Sequence, residues 1–360
     1  MKLAFVFPPG LLNGRRLDFT CLLDDKRGTT GSEITALTFP AEMALREHDV
    51  SLFVQKPNAP IYSGVALRDY ASLGSAEDFD AVLSVCIMND IDRFQKIAPG
   101  TLRVCFQQVN DFAYGAPGFD AFVDLYISPS EPHRDHILSQ GQTTKDKWVV
   151  IGNGCYPDSY PLRPKVPGRC AYLSSPDRGL HHVLNAWPEI RETVPYAELR
   201  IFYYALEGYL SGNHSDPRHR ERVAVIHRGL SLPGVTVVGA TSRNELALEL
   251  AEAEVQLYPV DTLSWTEGFS CSTLESCAAG ALPILMDCDA MGHIYGKACP
   301  TAPRGDLSIW TALALRALTV PIWAETQRKK ARQLALSYAW PLLAEKLEEA
   351  IKYGLGRKRV

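Results

Sequence analysis

The residue types and spacings that could do chemistry lie densest in DTLSWTEGFSCSTLESCAAGALPILM, positions 261–286. Glu267 and Glu275 stand there with seven residues between them, and Gly268-Phe269-Ser270 separates the first acid from a short helical pattern that stops at Gly280. Glycine at that point suits a left-handed helix cap. The first acid therefore precedes the helix and the second lies within it. A ligand across this helix N-terminus would meet the free N–H groups of Phe269, Ser270, Cys271 and Ser272, an environment suited to phosphate. A carboxylate deeper in the helix can accept from both hydroxyls of a ribose, at roughly 1.5–3 kcal/mol per charge-assisted bond. Glu275 is the ribose candidate.

A second segment, CAYLSSPDRGLHHVLNAWPEI at 170–190, reads as a strand followed by a helix start with Ser175 as N-cap and Pro176 first in the helix. Leu180, Val183, Leu184 and Trp187 form one apolar face. Arg178 then sits in a first turn, where a cation opposes the helix dipole by about 0.3–1 kcal/mol unless an anion is present. A diphosphate leaving group would supply that anion. The third segment, Gly28-Thr29-Thr30-Gly31-Ser32-Glu33, lies between the first strand and an amphipathic helix with Ile34, Leu37, Met43 and Leu45. It is neither a G-x-G-x-x-G fingerprint nor a P-loop, because no G-K-[ST] follows.

The elements that must position these residues alternate along the chain. LAFVF, a helix through Ile34 to Glu47, VSLFV, AVLSVCI, LRVCFQ, LYIS and KWVVI predict a parallel sheet covered by helices. After Gly152-Asn153-Gly154, four prolines (Pro157, Pro161, Pro164, Pro167) mark a linker. The alternation restarts with CAYLS, a helix from Ser175, LRIFYY, an amphipathic segment at 216–230, VTVVG, a helix over 242–253, VQLYP, a helix near 270–279 and LPILM. The segment from 321 to 353 has a helical pattern broken near Trp340-Pro341. The expected division is an N-terminal α/β domain over 1–152, a C-terminal one over 153–335, and a last helix over 336–360.

Composition bounds the reading. A chain of 360 residues is comfortable for two cores, since single cores stop growing near 250–300 residues. With 46% hydrophobic and 22% charged residues it is an ordinary globular composition. A net charge of -4 gives no basic footprint for nucleic acid. Nine scattered cysteines without a C-x-x-C pair read as reduced structural thiols. Pro8 and Pro9 cut the first apolar run short, which disfavours a secretory signal. No stretch reaches the ~18 apolar residues of a membrane span. A cytoplasmic protein is expected, with at most peripheral membrane contact through the basic tail Lys352, Arg357, Lys358 and Arg359.

The segment 261–286 resembles the signature of glycosyltransferase family 4 (group 1), an E-x7-E element followed by a small-residue helix and a Gly-x-Pro turn into a strand. Glu267, Gly268, Phe269, Glu275, Ala278, Ala279, Gly280 and Pro283 match. The resemblance implies a GT-B fold, two Rossmann-like parallel-sheet domains facing each other across a cleft, and retaining glycosyl transfer. It assigns Glu267 with the Phe269 and Ser270 amides to the donor sugar, the Cys271 and Ser272 amides and the Ser272 hydroxyl to the diphosphate, and Glu275 to the ribose. Arg178-Gly179 matches the basic residue and glycine that neutralise the departing diphosphate. A second basic residue five positions earlier is absent, since Tyr172, Leu173 and Ser174 stand there. The loop bearing Gly31 and Ser32 resembles the family's glycine-rich loop facing the donor phosphates. Where the family often carries a histidine near the anomeric centre, this chain reads Gln108, Asn110 and Asp111, and Gln108 and Asp111 are the candidates to replace it. His133 and Arg134 match a structural stretch, Asn153-Gly154 a junction pair, and the Trp340 segment a last helix that crosses back to the first domain.

The implied co-substrate is a UDP- or GDP-linked sugar with no other cofactor. The acceptor would be a saccharide, lipid-linked or small-molecule hydroxyl, with no nucleic-acid partner. Asp90-Ile91-Asp92 and Asp287-Cys288-Asp289 have the spacing of a metal motif of another glycosyltransferase fold, but such triplets are common by chance, and no metal is expected. A same-fold nucleotide-sugar epimerase and a noncatalytic nucleotide-sugar-binding protein are the alternative functions.

Overall fold

The computed structural model describes residues 1–7, 30–55, 57, 59–74, 78–86, 96–112 and 118–358. Gly28, Asp90 and Asp92, named above, lie outside them. The chain divides into two compact units. Of the described residues, one unit takes those up to Gly154 together with those from Trp340, and the other takes Cys155–Ala339.

The first unit is built on an eight-stranded sheet of order β3-β4-β2-β1-β5-β6-β7-β8. Its strands are β1 (Lys2–Val6), β2 (Asp49–Val54), β3 (Ile61–Tyr62), β4 (Val65–Asp69), β5 (Ala81–Cys86), β6 (Leu102–Gln107), β7 (Leu125–Ser128) and β8 (Trp148–Val150). All pair in parallel except β3 with β4. The centre of a parallel sheet is covered on both faces, so its strands are apolar throughout. In β1, Leu3 to Val6 are fully buried. The hairpin of β3 and β4 is absent from the sequence reading, because β4 alternates buried and half-buried residues at the edge of the sheet and Ile61 in β3 is exposed.

Helix α1 (Gly31–Leu45) starts on a capping box, the Thr30 side chain taking the Glu33 amide while the Glu33 carboxylate takes the Thr30 amide. This reciprocal arrangement satisfies two otherwise orphan donors. The short α2 (Glu131–Leu138) is capped by Ser130. The C-terminal helix, Trp340–Lys358, belongs to this unit. Trp340 packs edge-on against Phe39 at 5.0 Å, and a Cβ on Gly154 would come within 2.6 Å of its ring. Of the basic tail, Lys352 pairs with Glu348, Arg357 with Asp146 and Lys358 with Asp124, while Arg359 lies outside the described residues.

The second unit has an all-parallel six-stranded sheet of order β11-β10-β9-β12-β13-β14. The strands are β9 (Arg169–Tyr172), β10 (Glu198–Ile201), β11 (Val235–Val237), β12 (Val255–Tyr258), β13 (Leu282–Met286) and β14 (Thr301–Ala302). The helices are α3 (Leu180–Thr193), α4 (Leu206–Ser211), α5 (Pro217–Gly229), α6 (Arg243–Glu252), α7 (Cys271–Ala279), α8 (Met291–Tyr295), α9 (Leu307–Thr319) and α10 (Pro321–Leu336). Strand order reverses at β9, with β10 and β11 on one side and β12 onward on the other. In open parallel sheets, ligand sites form outside the carboxyl ends of strands at such a switch point. No single helix among the described residues is long and apolar enough to cross a membrane. The bent pair α9 and α10 passes by length and composition alone, and its Trp310, Ala314, Ala317, Ala324, Ala331 and Ala335 are in the core.

Candidate active site

The switch point brings two of the sequence segments together. Arg178 follows the carboxyl end of β9 and Glu267 follows that of β12, and these strands are neighbours. The Arg178 guanidinium donates to the Glu267 carboxylate at 3.0 Å and to the Thr266 hydroxyl at 3.4 Å. Glu267 is 2% exposed. Its carboxylate also accepts from the Tyr258 hydroxyl, which meets Ser174 at 3.1 Å. Burial pushes the Glu267 carboxyl above the usual carboxylate range, against the pull of Arg178 and Tyr258. Glu267 in turn holds the Arg178 guanidinium firmly protonated.

The local helix start differs from expectation. Pro176–Arg178 is a turn of 3-10 helix, Ser175 makes no side-chain cap bond, and α3 begins only at Leu180 after Gly179. Gly179 has φ +107°, and a Cβ there would lie 2.1 Å from the Pro259 carbonyl oxygen. The turn therefore lies directly against the chain leaving β12, which a side chain would prevent. The anion demanded by Arg178 is, in the protein itself, the Glu267 carboxylate.

Glu267 is held by the other half of an Asp-x-Asp triplet. The Asp289 carboxylate accepts the amides of Thr266 and Glu267 at 2.8 and 2.9 Å, so Asp289 acts as a loop anchor. Helix α7 begins two residues beyond Gly268-Phe269, with Ser270 as N-cap taking the Thr273 amide and Gly280 closing it at φ +73°. Tyr295 donates to the Ser270 carbonyl at 2.7 Å, and Phe269 packs against Tyr295 and Tyr338. Among the described residues, no group accepts from the amides of Phe269, Ser270 and Ser272. Three unspent donors at a helix N-terminus are an anion seat. The Ser272 hydroxyl meets that of Ser270 at 3.2 Å, and Cys271 is half-buried.

Glu275, buried on α7, carries a partner that the sequence reading missed: Arg243, the first residue of α6. Nothing local marks Arg243, which lies 32 positions away and is capped by an ordinary Ser242–Glu245 box. Tyr160 lies close by, its hydroxyl pushed up first by burial and then by the Glu275 charge. Tyr258 and Ser174 were likewise invisible, being a strand-end aromatic and a small loop residue.

The remaining candidates belong to the first unit. Gly31 and Ser32 open α1, and the Gly31 carbonyl accepts from Thr35. Gln108 and Asn153 exchange amide hydrogen bonds at 3.2 and 3.1 Å, and Thr35 donates to Asn153 at 3.0 Å. One bond at each end ties Gln108 to the junction Asn153 and leaves its amide a second N–H and a second acceptor site. Asp111 is exposed, and its carbonyl accepts from Gln107. His133 is fully buried between the Ser128 hydroxyl and the Val109 carbonyl, and burial lowers its pKa to about 4. It is a structural residue.

His181, His182 and Asp261 converge beside these motifs. They are the neighbours of Arg178 and Glu267 along the two segments.

Solved structures with the same architecture cover nearly the whole chain. Sucrose-phosphate synthase from Thermosynechococcus elongatus aligns with a TM-score of 0.73 at 14% identity, over 99% of this chain and 100% of that one. The chain has the GT-B fold. AviGT4, a glycosyltransferase involved in avilamycin A biosynthesis, aligns with a TM-score of 0.68 at 15% identity over 99% and 98% of the two chains. Anabaena HepE in complex with UDP aligns with a TM-score of 0.67 at 12% identity over 98% and 100%. No family model matches the sequence, and no curated protein does. With GT-B topology, the carboxyl ends of β9 and β12 are where the second sheet offers its switch point, and Arg178, Glu267 and the α7 amides all lie there.

Proposed function

We propose that this chain is a retaining glycosyltransferase that moves a sugar from a nucleoside diphosphate carrier, UDP or GDP, to a hydroxyl acceptor. One observation carries the reading. The Arg178–Glu267 pair stands at the switch point of the six-stranded sheet, directly ahead of a helix N-terminus whose Phe269, Ser270 and Ser272 amides have no acceptor among the described residues. GT-B glycosyltransferase structures of near-equal length, one of them holding UDP, support it.

In this reading the diphosphate lies across the amides at the start of α7, and Glu275 takes the ribose hydroxyls. Arg243 supplies the second cation that the sequence lacks before Arg178. As the bond from the anomeric carbon to the phosphate oxygen breaks, its electron pair goes to the diphosphate. Arg178 and the amides carry the growing charge, which preorganised donors do without reorganisation. Glu267 orients the sugar. The acceptor oxygen attacks from the face the phosphate leaves, and the leaving phosphate takes the acceptor's proton. No protein nucleophile is required, and no metal takes part in the transfer.

The test is a panel of UDP- and GDP-sugars, read as released nucleoside diphosphate with and without hydroxyl acceptors. Release from at least one donor, cut about a hundredfold by loss of Arg178, is expected. Tight donor binding with no release from any member would instead identify a noncatalytic nucleotide-sugar-binding protein.

A further inference from the structure

Behind Arg178, a second constellation is assembled from residues that the transfer reaction does not use. His181 and His182 open α3, and Asp261 follows β12. A ring nitrogen of each histidine and a carboxylate oxygen of Asp261 all lie within 4.8 Å of one another. The two imidazoles are 3.9 Å apart between centroids, and His182 Nε2 is 2.9 Å from Asp261 Oδ2. His181 is 7% exposed. Its Nδ1 is buried and has no partner, and the same is true of His182 Nδ1 and of Asp177 Oδ1 nearby. Buried polar atoms without partners cost about 1–3 kcal/mol each, so such a group in one place calls for an occupant.

We propose that His181, His182 and Asp261 form a site for a borderline first-row divalent ion, with Zn2+ as the representative. Two imidazoles and one carboxylate are a donor set that zinc accepts, at about 2.0–2.2 Å per ligand. Tetrahedral ligands at those lengths sit a little over 3 Å from one another, so the group needs only to contract at its side-chain ends. The imidazole of His181 is ready to coordinate. Its buried Nδ1 has no hydrogen-bond partner among the described residues, and a neutral ring carries the lone pair a metal needs. The donors are mostly nitrogen, which disfavours Mg2+ and Ca2+.

Arg222 limits the affinity. Its guanidinium donates to Asp261 Oδ2 at 3.2 Å and to the carbonyls of Asp177 and Asp261. It occupies one carboxylate oxygen and leaves Oδ1 open to the ion. The bound ion would tie the turn carrying Arg178 to the chain leaving β12, three residues from the guanidinium that faces Glu267. Its role is to fix that turn, and the site stands whether or not the chain transfers sugar.

Purified chain is dialysed against Zn2+, and bound metal is quantified in wild type, His181→Ala, His182→Gln and Asp261→Asn. Circular dichroism confirms that each variant is folded. One ion per chain is expected in wild type, with at least a tenfold loss of affinity in each variant. Wild-type crystals soaked in Zn2+ give a readout that needs no variant, an anomalous peak between the two imidazoles and Asp261. No zinc binding by wild type, equal binding by the variants, or a peak only at a cysteine would overturn the proposal.

Discussion

Removing Arg178 exposes how the site is held. The guanidinium lies 3.0 Å from a carboxylate that is 3% exposed, an attraction on the order of 5 kcal/mol in an effective dielectric of about 20. In Arg178→Ala, Glu267 cannot keep its charge at that cost and takes up a proton instead. Protonation sets a ceiling on the damage, about 1.4 kcal/mol for each pH unit above the unfolded carboxyl value of about 4.3. The ceiling is therefore about 4 kcal/mol at pH 7 and about 1 kcal/mol at pH 5. Burial already raises the Glu267 carboxyl in the wild type, and losing Arg178 raises it further. A carboxyl raised in the folded state keeps its stability at low pH and loses it as pH climbs through the folded value. The variant should thus approach wild-type stability on acidification. For a unit of this size about 4 kcal/mol corresponds to a melting shift on the order of 10 °C. The assay is thermal unfolding of both proteins across that pH range, with Arg178→Ala/Glu267→Gln as control, in which the pH dependence disappears. A deficit that is constant with pH, or below about 0.5 kcal/mol at pH 7, would refute the buried pair as the organiser of this site. On function, the same variant should cut turnover about a hundredfold at saturating donor while binding the donor almost normally. Arg178→Lys should recover part of that.

Three further outcomes are expected. Glu275→Gln should weaken nucleoside diphosphate binding by roughly 1–3 kcal/mol in calorimetric titration with the fold intact; an unchanged affinity would place the ribose elsewhere. Gly179→Ala should cost about 3 kcal/mol or more in denaturant unfolding, because φ +107° and a 2.1 Å approach to the Pro259 carbonyl add backbone strain to overpacking, and a loss under about 1 kcal/mol would contradict the close approach. Transfer should persist in excess chelator, reduced at most through the turn that His181, His182 and Asp261 tie down; complete loss reversed by added metal would restore a metal to the chemical step.

Much of this protein is local and therefore legible from its sequence. Apolar runs such as LAFVF and LPILM are buried parallel strands because a covered sheet admits little else, and the Gly280 cap and the E-x7-E helix follow from short-range backbone rules. The linker prolines lie at the start of the second unit for the same reason. What the sequence left open depended on pairs distant along the chain. Ser175 looked like an N-cap, but the packing of Gly179 against Pro259 delays the helix to Leu180. Arg178 asked for an anion, and only the adjacency of β9 and β12 decided that Glu267, 89 positions on, provides it. Asp261 meets two histidines through the same pair of strands, and Arg243 reaches Glu275 from a helix 32 positions away. A side chain's local pattern sets its element and its burial, while the partner of a buried charge is set by which strands the sheet places side by side, and that order is not written in any one segment.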